Sequence, residues 1–278
     1  MRLLFWNMNR KDLSEALAGI LNGGEYTLII LCEFGGQKGK LLSTVNQQGA
    51  FYSWCEGSDG RMTALTRLKS FKVTRIRDEG LVDDNDARYS FWRLMCHGEP
   101  ITVCGLHLPA GPHHSTKAKN HLLNRLSRDI GLVEKQEGHE RTILLGDFNL
   151  NPFDEMVISS EGLHAISSLS EAKRLRSRTV QRETRAFFYN PMWSHMGDRP
   201  TEPAGTYYWP TSVDQYGWQM YDQVLFRPSL MDVFSDFEVD IVTASAENPL
   251  TDKHGHPDKD RFSDHLPVRV HFYDRAST

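Results

Sequence analysis

Cysteine is scarce in this chain: Cys32, Cys55, Cys96 and Cys104 are the 4 in 278 residues, and none has Cys-x-x-Cys spacing. That excludes a zinc ribbon, which needs paired thiols, and a disulfide-stapled scaffold, which needs a short Cys-dense chain. Cys32, Cys96 and Cys104 lie in apolar, strand-like runs, which reads as free buried thiols in a reducing compartment. No apolar run approaches the ~18 residues a membrane-spanning helix requires. The run from Met1 to Trp6 is too brief for a signal-peptide core. A soluble, cytoplasmic protein without a membrane partner is expected. Positive charge is not in excess either, since 32 Lys and Arg meet 36 Asp and Glu for a formal net charge of -4. No overall field draws in a polyanion, so a polyanion site must be local or built by metal ions. Finally, no repeat, low-complexity tract or Pro/Gly-rich linker divides the chain. Residues 1–278 are expected to form one α/β domain.

Apolar strand-like runs are plentiful, and several end on a carboxylate, amide or imidazole. Leu3 to Trp6 runs into Asn7-Met8-Asn9, and Tyr26 to Cys32, apolar enough to be buried on both faces, ends at Glu33. Arg141 to Leu145 delivers Gly146-Asp147-Phe148-Asn149. Further strands are expected at Phe71–Arg75, Arg88–His97, Ile101–Leu108, Met220–Phe226, Phe237–Val242 and Pro267–Tyr273. Leu13, Ala16, Leu17, Ile20 and Leu21 mark one helical face, with Asp12 and Glu15 in capping-box spacing. A second helix is expected from about Thr116 to Lys135.

Asn7 and Asn9 stand two apart at a strand end, so their side chains share a face. Asp147 and Asn149 repeat that spacing, and Ser263-Asp264-His265 lies near the C-terminus. With each residue type near ~5% of usage, a chosen tripeptide occurs by chance in roughly 3% of chains this long. Cleaving a phosphate ester needs its negative charge neutralised, a water deprotonated and the leaving oxygen stabilised. Carboxylates and amides gathered about Mg²⁺, which prefers oxygen ligands, can do all three.

Taken together, Trp6-Asn7-Met8-Asn9, Cys32-Glu33, Leu106-His107-Leu108, Gly146-Asp147-Phe148-Asn149, Tyr221-Asp222-Gln223 and Ser263-Asp264-His265 resemble the endonuclease/exonuclease/phosphatase superfamily. The likeness spans residues 6–267. It implies a four-layer α-β-β-α sandwich of two mixed sheets flanked by helices, with the active site at one rim. It also implies roles. Glu33 would be the principal Mg²⁺ ligand (Mn²⁺ a possible substitute), with Asn7, Asn9 and Asp264 close by. Asp147 would deprotonate the attacking water, and Asn149 would fix the phosphate. His265 would contact the phosphate, held by Asp222, and His107 would approach a phosphate oxygen. Gln223 departs from the resemblance, since many nucleases of the family carry an aromatic residue there.

The resemblance leaves the substrate open. Residues 173–218 form a basic and aromatic insertion. Arg174, Arg176 and Arg178 either track a phosphate backbone or face solvent. Tyr208 and Trp209 either stack bases or pack the insertion onto the sandwich. A nuclease acting on DNA or RNA is the leading expectation. A phosphatase or phosphodiesterase of a small phosphoester is the first alternative. A non-catalytic interaction platform ranks below both, because Glu33, Asp147, Asp222 and His265 are all retained. His113-His114 reads as loop surface. His254-Gly255-His256 hints at a second metal site but matches no ligand spacing.

Overall fold

Side chains of a strand alternate between its two faces, so each apolar strand here can serve two cores at once. The computed structural model describes residues 1–47, 49, 51–55, 62–67, 73–77, 88–110, 116–197, 203–210 and 217–275. Six strands form one sheet: β1 (Arg2–Asn7), β2 (Leu28–Cys32), β3 (Tyr52–Trp54), β4 (Met62–Arg67), β16 (Phe234–Ile241) and β19 (Val268–Asp274), in the order β16-β19-β1-β2-β4-β3. Seven form the other: β5 (Val73–Arg75), β6 (Tyr89–Cys96), β7 (Glu99–His107), β8 (Thr142–Asp147), β9 (Ala165–Ile166), β12 (Phe188–Tyr189) and β15 (Asp222–Phe226), in the order β5-β6-β7-β8-β15-β12-β9. Both sheets are mixed: β1 is parallel to β2 and antiparallel to β19, while β8 is parallel to β7 and antiparallel to β15. Small hairpins pair β10 (Ser177–Val180) with β11 (Glu183–Ala186), β13 (Tyr207–Trp209) with β14 (Gly217–Gln219), and β17 (Ala244–Ser245) with β18 (Asn248–Pro249).

The helices are α1 (Ser14–Leu21), α2 (Lys38–Val45), α3 (Thr116–Glu137), α4 (Glu155–Ile158) and α5 (Leu169–Leu175). Leu3 and Phe5 of β1, Ile143 and Leu145 of β8, and Val224 and Phe226 of β15 share the core between the sheets. The alternate residues Leu4 and Trp6 face outward, against Leu17 and Ile20 of α1 and Leu41 of α2. On the other side Leu144 and Leu225 meet Leu126 and Ile130 of α3. The result is the expected four-layer α-β-β-α sandwich. All four cysteines are free and buried, and none of the described helices is long and apolar enough to cross a membrane.

Local expectations were met unevenly. The helix foreseen at 116–135 is α3. Leu13, not Asp12, is the N-cap of α1 and no side chain caps it; Asp12 Oδ1 accepts from the Ser14 N–H (3.2 Å) and hydroxyl (2.6 Å), and its other oxygen binds Lys40 rather than completing a box with Glu15. The short side chain of Asp reaches the N–H two residues on more readily than three. Of the strand expected at Phe71–Arg75, residues 71 and 72 lie outside the described residues, as do His113 and His114.

Candidate active site

Strand parity brings the polar strand ends to one place. Asn7 continues the series Leu3, Phe5 on β1, and Asp147 continues Ile143, Leu145 on β8; both series face the gap between the sheets. Asp222 precedes Val224 and Phe226 on the same face of β15, and His107 continues Ile101 and Val103 on β7. In register, His107 pairs with Asp147, which pairs with Asp222. The apolar core thus ends at one rim in a layer of buried polar groups. Asn7, His107, Asp147, Asp222 and His265 are all at most 7% exposed.

The two sheets are joined there by a hydrogen bond, from Asn7 Nδ2 to Asp147 Oδ2 at 3.0 Å. The repeated two-residue spacing has a local cause. The Asn9 N–H donates to Asn7 Oδ1 (3.1 Å), and the Asn149 N–H donates to Asp147 Oδ1 (2.9 Å). Each is a side chain capping the backbone two residues on. Asn9, Glu33 and Asn149 have φ of 47°, 48° and 47°. Asn tolerates this left-handed region, whereas Glu rarely adopts it, and such strain concentrates at functional sites.

His265 is held on three sides. Its Nδ1 lies 2.8 Å from Asp222 Oδ2, its backbone N–H donates to Ser263 Oγ (3.1 Å), and its carbonyl accepts from Trp6 Nε1 (3.0 Å). Ser263 Oγ in turn donates to the Asn7 carbonyl at 2.6 Å, tying the two motifs together. His265 Nε2 is 3.9 Å from Asp147 Oδ2. Burial pushes the imidazole pKa down, but Asp222 and Asp147 outweigh it and lift it to about 10. Burial also pushes the Asp147 carboxyl up, to about 7, against the pull of His265. The Asp222 backbone N–H donates to Thr206 Oγ1 at 3.0 Å.

His107 Nε2 stands 3.7 Å from both Glu33 Oε1 and Asp147 Oδ2, so Glu33 and His107 join the same cluster. Glu33 also faces Arg10, at 3.5 Å, and its side chain is 26% exposed. Asp264 lies close enough to raise the pKa values of both Tyr207 and His265. The Asn149 amide donates to the Leu108 carbonyl at 2.9 Å. Among the described residues, Asp147, Asp222 and His265 form one of the groups able to bring ligand atoms within 4.8 Å of one another. The loop histidines His254 and His256 are in no such group; His256 instead stacks on Tyr208, with rings 3.6 Å apart and 11° from parallel.

Three expected substrate residues lie elsewhere. Arg174 lies in the last turn of α5 and pairs with Glu171; Arg176 pairs with both oxygens of Asp232, and Arg178 lies on β10. Helix α5 packs on the 3-10 turn Pro228–Asp232, beyond the Phe226 end of β15. Four strand residues at ~3.3 Å each put that end roughly 13 Å from Asp222, on the opposite rim. The basic run therefore does not converge on the cluster. Tyr208 is turned toward His256 and Trp218, whereas Trp209 bonds Tyr221 Oη through Nε1 at 3.3 Å.

Other neighbours of the cluster had not been singled out. Tyr207 forms a bridge with His265, and their rings lie 4.8 Å apart. The sequence offered only the surrounding aromatic density as a signal. Lys119 of α3 donates to the Asn149 carbonyl at 3.3 Å; burial lowers its pKa against the pull of Asp154 and Asp147. Nothing in its helical context marked it. Gln223, the departure noted in the sequence, donates to the Leu150 carbonyl (2.6 Å) and accepts from Asn190 (2.9 Å), bracing the loop that follows Asn149.

No protein-family model and no curated protein matches the chain. Solved structures do. The catalytic domain of human Nocturnin is similar at 17% identity, TM-score 0.56, covering 98% of this chain and 94% of that one. Truncated TDP2 from Caenorhabditis elegans is similar at 13% identity, TM-score 0.58, over 98% and 96%. The 3'-5' exonuclease NExo of Neisseria meningitidis follows at 16% identity, TM-score 0.55, over 98% and 100%. A further NExo structure, described as a 3' phosphatase bound to product DNA hairpin, aligns at 18% identity, TM-score 0.53, over 98% and 99%. These neighbours show that the chain shares their fold, two facing mixed sheets flanked by helices.

Proposed function

We propose that this chain is a divalent-metal-dependent phosphoester hydrolase acting on DNA or RNA, with residues 1–278 working as one catalytic domain. The observation that carries this reading is the continuous buried link from Asn7 through Asp147 to His265 and Asp222, spanning both sheets. A buried acid and a buried imidazole whose pKa values are both strongly shifted, as for Asp147 and His265, are what proton-transfer sites hold. The NExo neighbour bound to a DNA hairpin favours a nucleic-acid substrate.

The donor set fits a hard cation. Glu33 presents a partly exposed carboxylate to the cluster, and Mg²⁺ needs only one or two carboxylates besides water and substrate phosphate. Within the Asp147–Asp222–His265 group, by contrast, Asn7 holds Asp147 and Asp222 holds the imidazole, an arrangement suited to moving protons. Glu33, aided by Asn7, Asn9 and Asp264, would hold Mg²⁺, with Mn²⁺ a possible substitute. Bound there, the ion would supply charge neutralisation at the phosphate and acidify a water.

The chain's own residues supply the rest. Asp147, with a pKa of about 7, is matched to taking a proton from water near neutrality. Asp222 at Nδ1 fixes the ring of His265, so Nε2 points to the reacting centre as a cationic donor to a phosphate oxygen. His107 and Lys119 add donors at the same rim. Asn149 keeps Asp147 oriented through its backbone N–H.

A second reading, hydrolysis of a small phosphoester, is favoured by one observation: the basic run lies away from the cluster. Single- and double-stranded DNA and RNA, an inositol phosphate and a nucleotide should each be incubated with Mg²⁺, Mn²⁺ or a chelator. Metal-dependent cleavage of a nucleic acid is the expected result. Turnover of the small esters alone would replace the first reading with the second, and chelator-resistant activity would remove both.

A further inference from the structure

A cavity of about 490 Å³ is walled by the C-terminal part of α3, the turn at Gly162–His164 and strand β11, which brings Arg185 to it. Two histidines line it, His139 at 9% and His164 at 3% exposure. The Arg141 backbone N–H donates to His139 Nδ1 at 3.0 Å, which leaves the neutral ring's proton on Nε2. That Nε2 is buried and has no hydrogen-bond partner in the protein. The His164 ring, by contrast, is engaged by the Arg185 and Ala186 backbone. A buried N–H is normally given an acceptor.

The wall's charges show what kind of acceptor. Glu134 is engaged by a two-pronged pair with Arg227, at 2.9 and 3.1 Å, and so adds little free negative charge. Lys135 and Arg185 line the cavity, the Arg185 guanidinium also pairing with Glu183 Oε2 at 2.5 Å, and Arg178 and Arg227 lie near enough to depress the His164 pKa further once burial has lowered it. Glu140 is an exposed acid on the same wall. Leu163, Ala186 and Phe188 give the cavity an apolar side, and its volume exceeds that of a bare oxyanion.

We propose that this cavity is a second anion site, separate from the catalytic rim, that takes the phosphate group of a small phosphomonoester. His139 Nε2–H, Lys135 and Arg185 would receive the phosphate oxygens, and the apolar side would receive the ester's body. The site does not depend on the reaction proposed above.

The test uses the whole chain with isotope-labelled histidine, at fixed pH and ionic strength. Inorganic phosphate and adenosine 5'-monophosphate are titrated while the His139 and His164 ring signals are followed by NMR, with chloride as control. Both probes should shift these signals saturably, the monoester at lower concentration. Lys135→Gln with Arg185→Gln, at exposed or half-exposed positions that should not disturb folding, should weaken both responses at least tenfold. The result that overturns the site is no shift at 10 mM of either probe, or shifts that the double variant leaves unchanged. Movement of His265 and His107 signals alone would overturn it too, by assigning phosphate to the catalytic rim only.

Discussion

Asn7 at the end of β1 donates a hydrogen bond to Asp147 at the end of β8, 140 residues away and in the other sheet. The bond lies where the apolar core between the sheets stops. It converts two strand ends into one site, and it places the acid expected to activate water within 3.9 Å of His265.

The pH profile should report this arrangement. Asp147 must lose its proton to act as base, and burial holds its pKa up at about 7. His265 must keep its proton, and Asp222 and Asp147 together lift its value to about 10 against burial. kcat/KM should therefore rise through about 7 and fall through about 10, with bound Mg²⁺ moving the acid limb lower. Asp222→Asn should bring the alkaline limb to lower pH and cost about 10–10² in rate. An unmoved alkaline limb would show that Asp222 does not set the imidazole.

Asp147→Asn should abolish turnover yet stabilise the fold. The folded-state pKa, about 7, lies above the ordinary 3.8, so the folded chain holds this proton more tightly than the unfolded one. The contribution to stability is full below 3.8 and is lost as pH rises through about 7. At pH 8 the wild type carries the cost of a buried carboxylate, and the amide does not. Thermal unfolding at pH 8 should show the variant about 2–4 °C higher, the shift expected for ~1 kcal/mol in a chain of this order of size, with the gap closing toward pH 4. A gap of constant size across that range would contradict the buried-acid account.

Gly146 should admit no side chain. A Cβ there would stand 2.1 Å from the Leu106 carbonyl oxygen, on the neighbouring strand β7. Backbone cannot yield as a flexible side chain can, so Gly146→Ala should cost about 1–3 kcal/mol, the usual range for overpacking, and should displace Asp147. A lowered urea midpoint together with lost activity is expected; an unchanged midpoint would mean the strands approach less closely.

Neutralising Arg174, Arg176 and Arg178 should leave catalysis nearly intact. The three lie beyond the far end of β15, and Arg176 is paired with Asp232. kcat/KM on DNA or RNA should change less than about twofold, with the salt slope retained. A flattened slope would return these residues to the substrate path.

The elements were legible wherever periodicity was strong. The buried run Tyr26–Cys32 became β2, and the 116–135 helix became α3, because burial of a periodic apolar face is a local property. The site residues were legible because short polar motifs followed apolar strands. Asn7-x-Asn9 and Asp147-x-Asn149 even carry their own geometry, since each closes its turn on itself. The role of the basic run stayed open for a different reason. Charge clustering shows what a segment could bind, while its position depends on which end of β15 the chain has reached when it turns back.

Alone, the amino-acid order determined the α/β class, the strand ends bearing acids and amides, and the buried thiols, because these follow from alternation, turn chemistry and hydrophobicity within a few residues; the four-layer pattern was implied only by the family resemblance. Only the tertiary structure decided that Tyr207 and Lys119 border the site, that Tyr208 turns to His256, and that Arg174 and Arg176 lie beyond the far end of β15. Those outcomes depend on sheet order and on antiparallel register between strands far apart in sequence, and no local pattern encodes which rim a distant segment will meet.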